Sequence, residues 1–318
     1  MKYIGIDLGG TNTKGALVSE SGKILREASC QTQTECGTDA VCDNIAAIIC
    51  TLAESVEKAE LGGIGLGCPG TVDDDAGIVR LAANLGFANY DLRSQIERRC
   101  GYSVRLGNDA NVAALAEALV GVGRGCESFA VITLGTGVGG GIVLNGKILT
   151  GYTGAASELG HMVIREGGEP CTCGRCGCFE AYSSATALIR ETKSMMATHP
   201  KSLMHIIAAK SGTVDGRTAF DAALLGDVAA QEVRDSYIEN LACGVANIVN
   251  IFFPEVIAFS GGIANQGDAL LVPLRNRVNQ LTFGSAYAAK HTRIECCTLG
   301  YRAGMIGAAL LSKQLVSI

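Results

Sequence analysis

The sequence predicts a two-domain α/β protein, and three observations predict it. A chain of 318 residues is long enough for two separate cores. Short apolar strands alternate with one-faced helices, and 42 glycines against 5 prolines suit an ordered chain with many tight turns. A pattern of strand, glycine turn, strand, turn and strand occurs at Ile4 to Cys30 and again at Val131 to Thr150. GLGCPG at 65–70 has an echo in AFSGGI at 258–263, so the chain reads as two related halves.

Charge and composition narrow the function classes. A net charge of −5 argues against a general nucleic-acid or membrane-surface binder. The chain shows neither a basic leader with an apolar core nor an apolar run of membrane-spanning length. Fourteen cysteines without a secretory signal then imply reduced thiols and a cytoplasmic protein.

The first hairpin spans Lys2 to Val18, with Lys23 to Cys30 as its third strand. Its loop, DLGGTNTK, joins Asp7 to Gly9, Gly10, Thr11, Asn12, Thr13 and Lys14. Bare glycines let backbone N–H groups approach an anion, and the hydroxyls, amide and lysine add donors, so the loop reads as a phosphate binder. Asp39 to Glu60 is a one-faced helix through Val41, Ile45, Ile48, Leu52 and Val56. Gly63 to Gly70 is a buried strand ending in a turn; Asn84-Leu85-Gly86-Phe87 is a loop, and a short helix starts near Asp91. Val104 to Leu106 leads through Asn108-Asp109 into a helix of small residues. There Asp109 has two open roles, helix cap or catalytic carboxylate.

Phe129 to Leu144 formally contains a GxGxxG match at Gly135, Gly137 and Gly140. The dinucleotide fingerprint needs a helix next, whereas Ile142-Val143-Leu144 and an Asn145-Gly146 turn continue a hairpin, so that reading fails. No GxxxxGK[ST] loop exists in the sequence.

Ser157 to Glu180 carries the strongest local signal. Cys171, Cys173, Cys176 and Cys178 fall within eight residues, with His161 ten residues earlier. Cys-x-Cys and Cys-x-x-Cys spacings around Gly174 and Gly177 suit a tetrahedral zinc knuckle, in which five donors compete for four places and one cysteine is spare. Glu158 stands one turn before His161, and Glu180 two residues after the last sulfur, so a metal here would fix two carboxylates and an imidazole. Further on, helices are expected at 184–196, 202–210, 219–226, 225–253 and 304–315, with strands at 255–259 and 293–298. Gly261-Gly262 offers bare backbone to a flat ligand, while His199, His205 and His291 carry no assigned role.

DLGGTNTK, GCPG, NDAN, TLGTGVGGG, SELGH, CTCGRCGCFE and SGGI, in this order, closely resemble the ROK family of bacterial sugar kinases and repressors. The resemblance implies an actin/hexokinase-like (ribonuclease H-like) fold with a ligand cleft between a small domain, 1–115 plus 302–318, and a large one, 116–301. It implies an ATP-dependent hexose kinase, with glucose the expected acceptor. The same frame serves N-acetylmannosamine, N-acetylglucosamine, fructose, allose and β-glucosides, and a non-catalytic sugar-sensing regulator is the rival of another class. Family repressors add an N-terminal DNA-binding region, whereas this chain opens on the first strand, which favours the kinase branch. Carried over by motif, Asp109 is the catalytic base. Asn84, Asn108, Glu158, His161 and Glu180 bind the sugar. His161, Cys171, Cys173 and Cys178 hold a structural zinc, which leaves Cys176 spare. Gly9, Gly10, Thr11, Thr136 and Gly137 line the phosphates with Asn12 and Lys14, Asp7 sits near magnesium, and Gly261 and Gly262 face the adenosine. Phe87 replaces the aromatic of the glucokinase-type NLGW loop. A homodimer or homotetramer is also implied, with no nucleic-acid or membrane partner.

Overall fold

The computed structural model describes residues 1–152 and 154–313. The chain divides into two compact units, one formed by Met1–Glu127, Gly141–Ser157 and Thr298–Ile318, the other by Ser128–Gly140 and Glu158–Cys297.

In the first unit, β1 (Lys2–Leu8), β2 (Asn12–Ser19) and β3 (Ile24–Gln31) form an antiparallel meander. After α1 (Thr38–Ala53), β4 (Leu61–Cys68) joins β1 in parallel. β5 (Thr71–Asp73), β6 (Ile78–Ala82) and β7 (Phe87–Tyr90) make a small separate sheet, followed by α2 (Leu92–Cys100). β8 (Val104–Asn108) then pairs in parallel with β4 and runs directly into α3 (Asp109–Leu119). The main sheet therefore has the order β3-β2-β1-β4-β8.

The alternation in β1 dictates the layers. Ile4, Ile6 and Leu8 join Ile45, Ile49 and Leu52 of α1 in the larger core, each such side chain adding about 1.5–3 kcal/mol on full burial. Tyr3, Ala16 and Val18 pack on the opposite side against Met305 and Ala309 of the last helix. That helix lies directly on the strands because the sheet has glycines beneath it. A Cβ on Gly5 would come within 1.8 Å of the Met305 carbonyl oxygen, and one on Gly65 within 1.9 Å of that of Ala308.

The second half begins with β9 (Ser128–Leu134), β10 (Val138–Leu144) and β11 (Lys147–Ile148). The division between the units falls within β10, at Gly140/Gly141. α4 (Glu180–Ser183), α5 (Ala185–Thr198), α6 (Met204–Ser211), α7 (Thr218–Leu224) and the long α8 (Val228–Phe252) follow. Ser184 and Asp227 cap α5 and α8, their side chains accepting from the N–H groups of Ala187 and Ala230. β12 (Val256–Ser260), α9 (Asp268–Leu281) and β13 (Arg293–Cys296) precede the final α10 (Ala303–Lys313). The sheet order β11-β10-β9-β12-β13 repeats that of the first sheet strand for strand.

The small sheet and α9 are the elements that sequence reading does not supply. β5 is only three residues long, and Phe87, assigned to a loop, opens β7. α9 carries Pro273 inside it, which weakens the helical signal of its sequence. Among the described residues no helix is long and apolar enough to cross a membrane.

Candidate active site

The first unit builds a carboxylate site at one end of its sheet. The loop after β1 closes through the Gly9 N–H, which donates to the Asn12 carbonyl at 3.1 Å. A Cβ on Gly9 would come within 2.7 Å of that same oxygen, so glycine is required by close approach. Two threonines secure the loop from behind. The buried Thr32 hydroxyl donates to the Gly9 carbonyl at 2.7 Å, and the buried Thr13 hydroxyl lies 3.0 Å from Thr32. Sequence reading does not single out Thr32; it directly follows β3, where its N–H donates to the Thr11 carbonyl at 2.9 Å, a closeness only the folded chain reveals.

Asp7 is the next-to-last residue of β1, opposite Lys14 on β2 and Gly67 on β4. Gly304 of α10 leaves room for it, since a Cβ there would sit 2.6 Å from the carboxyl carbon. Burial pushes the Asp7 carboxyl above its ordinary value of 3.8, repulsion from Asp109 adds to the rise, and Lys14 opposes it. Lys14 also stacks its ammonium 5.2 Å from the centre of the Tyr301 ring, so its charge is engaged by the strand and α10 region of its own unit.

The question of which residue caps α3 resolves in favour of Asn108. Its Oδ1 accepts from the Asn111 N–H at 3.0 Å, and its Nδ2 donates to the Gly70 carbonyl at 2.9 Å. Asp109 is the first helical residue instead, with one carboxylate oxygen accepting from its neighbour Ala110 at 2.8 Å. Burial raises the Asp109 carboxyl above 3.8, against the lowering effect of the Ala110 N–H. A carboxylate relieved of capping, rigidly held and biased towards holding a proton suits a general base.

Asn84 lies exposed on a turn, its amide nitrogen 3.4 Å from where a Cβ on Gly10 would stand. Thr11 and Asn12 are exposed as well. Phe87, by contrast, is buried and stacks on Tyr90 with ring centres 4.8 Å apart. Its replacement of a larger aromatic is thus a packing matter.

The second unit builds its site around Glu180. One oxygen of its carboxylate accepts from the Val138 N–H at 3.0 Å; the other accepts from the Thr172 hydroxyl at 3.0 Å and lies 3.6 Å from the Cys171 sulfur. A Cβ on Gly137 would collide with the first oxygen at 2.3 Å. Thr136 is tied to the same region, its carbonyl accepting from the Thr186 hydroxyl at 2.7 Å. The second glycine loop and the end of the knuckle are therefore one hydrogen-bonded body.

Within the knuckle, one ligand atom from each of His161, Cys171, Cys173 and Cys178 lies within 4.8 Å of the others. His161 Nδ1 is 3.6 Å from the Cys171 sulfur, and the sulfurs of Cys173 and Cys178 are also 3.6 Å apart. A tetrahedron with zinc–sulfur bonds of about 2.3 Å and zinc–nitrogen bonds of about 2.0–2.1 Å has edges of roughly 3.5–3.8 Å. The residues fit such an ion. Cys176 lies outside the group and is exposed. A Cβ on Gly177, whose φ is +85°, would stand 1.8 Å from the Arg165 carbonyl, so this turn tolerates no side chain. Below it, Phe179 is fully buried, and Gly244 on α8 gives its ring room. The Arg175 N–H holds the Cys173 thiol down at about 6.

Glu158 is exposed and does not cap the turn that carries His161. Gly261, at φ +89°, packs against the Leu134 backbone, whereas a Cβ on Gly262 would meet nothing within 4 Å. Gly262 therefore presents open backbone.

The family model of the ROK family matches residues 3–315. The glucokinase of Thermotoga maritima is 38% identical over 317 residues, covering 99% of this chain and 98% of that protein. The crystal structure of a ROK family glucokinase from Streptomyces griseus, in complex with glucose and AMPPNP, is 30% identical with a TM-score of 0.78, covering 99% of this chain and all of that one. The ROK hexokinase of Thermus thermophilus is 31% identical with a TM-score of 0.81, and 99% of each chain is covered.

Proposed function

The chain belongs to the ROK family, and on that premise we propose that it is an ATP-dependent sugar kinase whose acceptor is glucose and whose product is glucose 6-phosphate. The observation that carries the reading is Asp109, a carboxylate freed from helix capping by Asn108 and raised by burial.

In this mechanism a sugar hydroxyl attacks the terminal phosphorus in line and loses its proton as the new P–O bond forms, while the bond from that phosphorus to the β–γ bridging oxygen breaks and ADP leaves. Asp109 accepts that proton, a contribution of about 10²- to 10⁴-fold. Asn108 and Asn84 orient the sugar, and Glu158, His161 and Glu180 supply hydroxyl partners. With Nδ1 turned towards the sulfurs, the other nitrogen of His161 is left for the sugar. The backbone of Gly9, Gly10, Thr11, Asn12, Thr136 and Gly137 lines the phosphates, and Gly261 and Gly262 face the adenosine. Magnesium, held near Asp7, supplies charge neutralisation when bound. Zinc held by His161, Cys171, Cys173 and Cys178 is structural, since three sulfurs and one nitrogen close its coordination shell.

A panel of free sugars assayed with ATP tests this directly. Glucose is expected to give the highest kcat/KM. Preference for an N-acetylated hexosamine, fructose, allose or a β-glucoside would reassign the acceptor, and no turnover with any sugar would overturn the kinase reading. Metal analysis is expected to find one zinc per chain, retained in Cys176→Ser and lost in Cys178→Ser.

A further inference from the structure

One charged side chain of the knuckle is used neither as a donor to the ion nor by the chemistry above. Arg175 lies in the turn between Cys173 and Cys176, where its carbonyl accepts from the Cys171 N–H at 2.8 Å. Its guanidinium Nη2 donates to the His161 carbonyl at 2.5 Å. The residue's carbonyl is thus bound into the cysteine turn while its planar guanidinium fork reaches the backbone of His161, fourteen residues earlier, a directed donor that a point-charge ammonium only partly replaces.

The charge balance points the same way. Three thiolates outweigh a zinc dication by one charge, and the imidazole ligand is neutral. A cation carried on the same turn offsets that excess, and a donor on the His161 carbonyl fixes the turn from which the ring projects. We propose that Arg175 is a positioning residue of the knuckle, clamping the His161 backbone to the cysteine turn so that the imidazole holds one orientation. This rests on the knuckle being a zinc site, and it adds a specific consequence. The residue between the two pairs of cysteines governs how firmly the metal is kept and, through His161, how well the sugar is bound.

The test uses the full-length zinc-loaded protein and its Arg175→Ala, Arg175→Gln and Arg175→Lys variants. Zinc release to a chelating dye is followed in time, and Michaelis constants are measured for sugar and ATP separately. Arg175→Ala and Arg175→Gln are expected to release zinc about 10–100-fold faster than the parent. Arg175→Lys should fall between, because it restores the charge and not the fork. The sugar KM should rise in Arg175→Ala while the ATP KM and the melting temperature of the zinc-loaded protein stay unchanged, since Arg175 is exposed. Release rates equal to the parent's in all three variants would overturn the proposal, as would an ATP KM that rises in step with the sugar's. A parent protein that holds no zinc would overturn the metal reading itself, and that outcome is visible before any variant is made.

Discussion

The two glycine loops belong to sheets of identical strand order, yet they are held in opposite ways. In the first unit the loop after β1 is secured by neutral hydroxyls, Thr13 and Thr32, and the charge stands beside it, on Asp7 and Asp109. In the second the position matching Asp7 is Thr133, whose hydroxyl lies 2.8 Å from that of Ser260 on β12, while the loop itself is secured by a carboxylate, Glu180. A repeated fold has therefore divided its labour: one copy leaves a carboxylate pair beside its loop, the other uses its carboxylate to join the loop to the cysteine knuckle. Buried charge is costly unless it is partnered. Glu180 is partnered by donors on both oxygens, whereas Asp7 and Asp109 bear the cost as raised pKa values, a feature of sites that move protons.

The largest effect should come from removing the free carboxylate. Asp109→Asn is expected to lower kcat by about 10²- to 10⁴-fold while calorimetry still detects sugar binding. Turnover near the parent's would reduce Asp109 to a structural residue and end the distinction between the units. The same substitution has an opposite sign for stability. Because burial raises the Asp109 carboxyl in the folded state, the protein loses stability as pH rises from 3.8 through that raised value, where folding holds a proton the unfolded chain has released. Asp109→Asn is therefore expected to melt no lower than the parent at pH 7; a clear drop in melting temperature would show that the ionised carboxylate stabilises the fold.

Next in size, Gly9→Ala and Gly137→Ala should each cost about 1–3 kcal/mol of overpacking, but in different readouts. At Gly9 the obstacle is the backbone of Asn12, so the melting temperature should fall. At Gly137 it is the movable Glu180 side chain, so a raised sugar KM with a smaller loss of stability is expected. Equal profiles for the two variants would mean the loops are held alike.

The acid limb of the kcat/KM profile sharpens the comparison further. A general base must be ionised, and the Asp109 carboxyl is raised, so on the proposed role the limb should lie above 3.8 and vanish from the residual activity of Asp109→Asn. A limb at or below that value would contradict the buried setting of Asp109. The smallest effect is expected for Thr133→Val, which removes one hydroxyl of the β9–β12 pair and should cost about 1 kcal/mol in denaturant unfolding with little change in kcat.

Much of this was legible before any coordinates. The donors of the knuckle sit close along the chain, so their spacing alone brings them to one point, and the two halves announce themselves through matching glycine turns. Local patterning carries such features because the interacting groups are neighbours in sequence. It carried less for α3, where Asn108 and Asp109 are both good caps and only the backbone angles at Asn108 decide between them. Phe87 likewise reads as part of a loop until its burial and its stacking on Tyr90 place it in the core at the start of β7.

From residue order alone came the two α/β halves, the glycine loops, a base candidate and a knuckle of five possible donors, all of them set by periodicity and short-range spacing; which four donors converge was decided by the fold. Folding alone decided that Thr32 braces Gly9, that Glu180 reaches back to Val138, and that Asp109, at the β8–α3 junction, raises the proton affinity of Asp7 beside the β1–β2 loop. Those contacts join residues far apart in the chain, and hydrogen bonding and charge repulsion depend on distance in space, which a one-dimensional pattern does not contain.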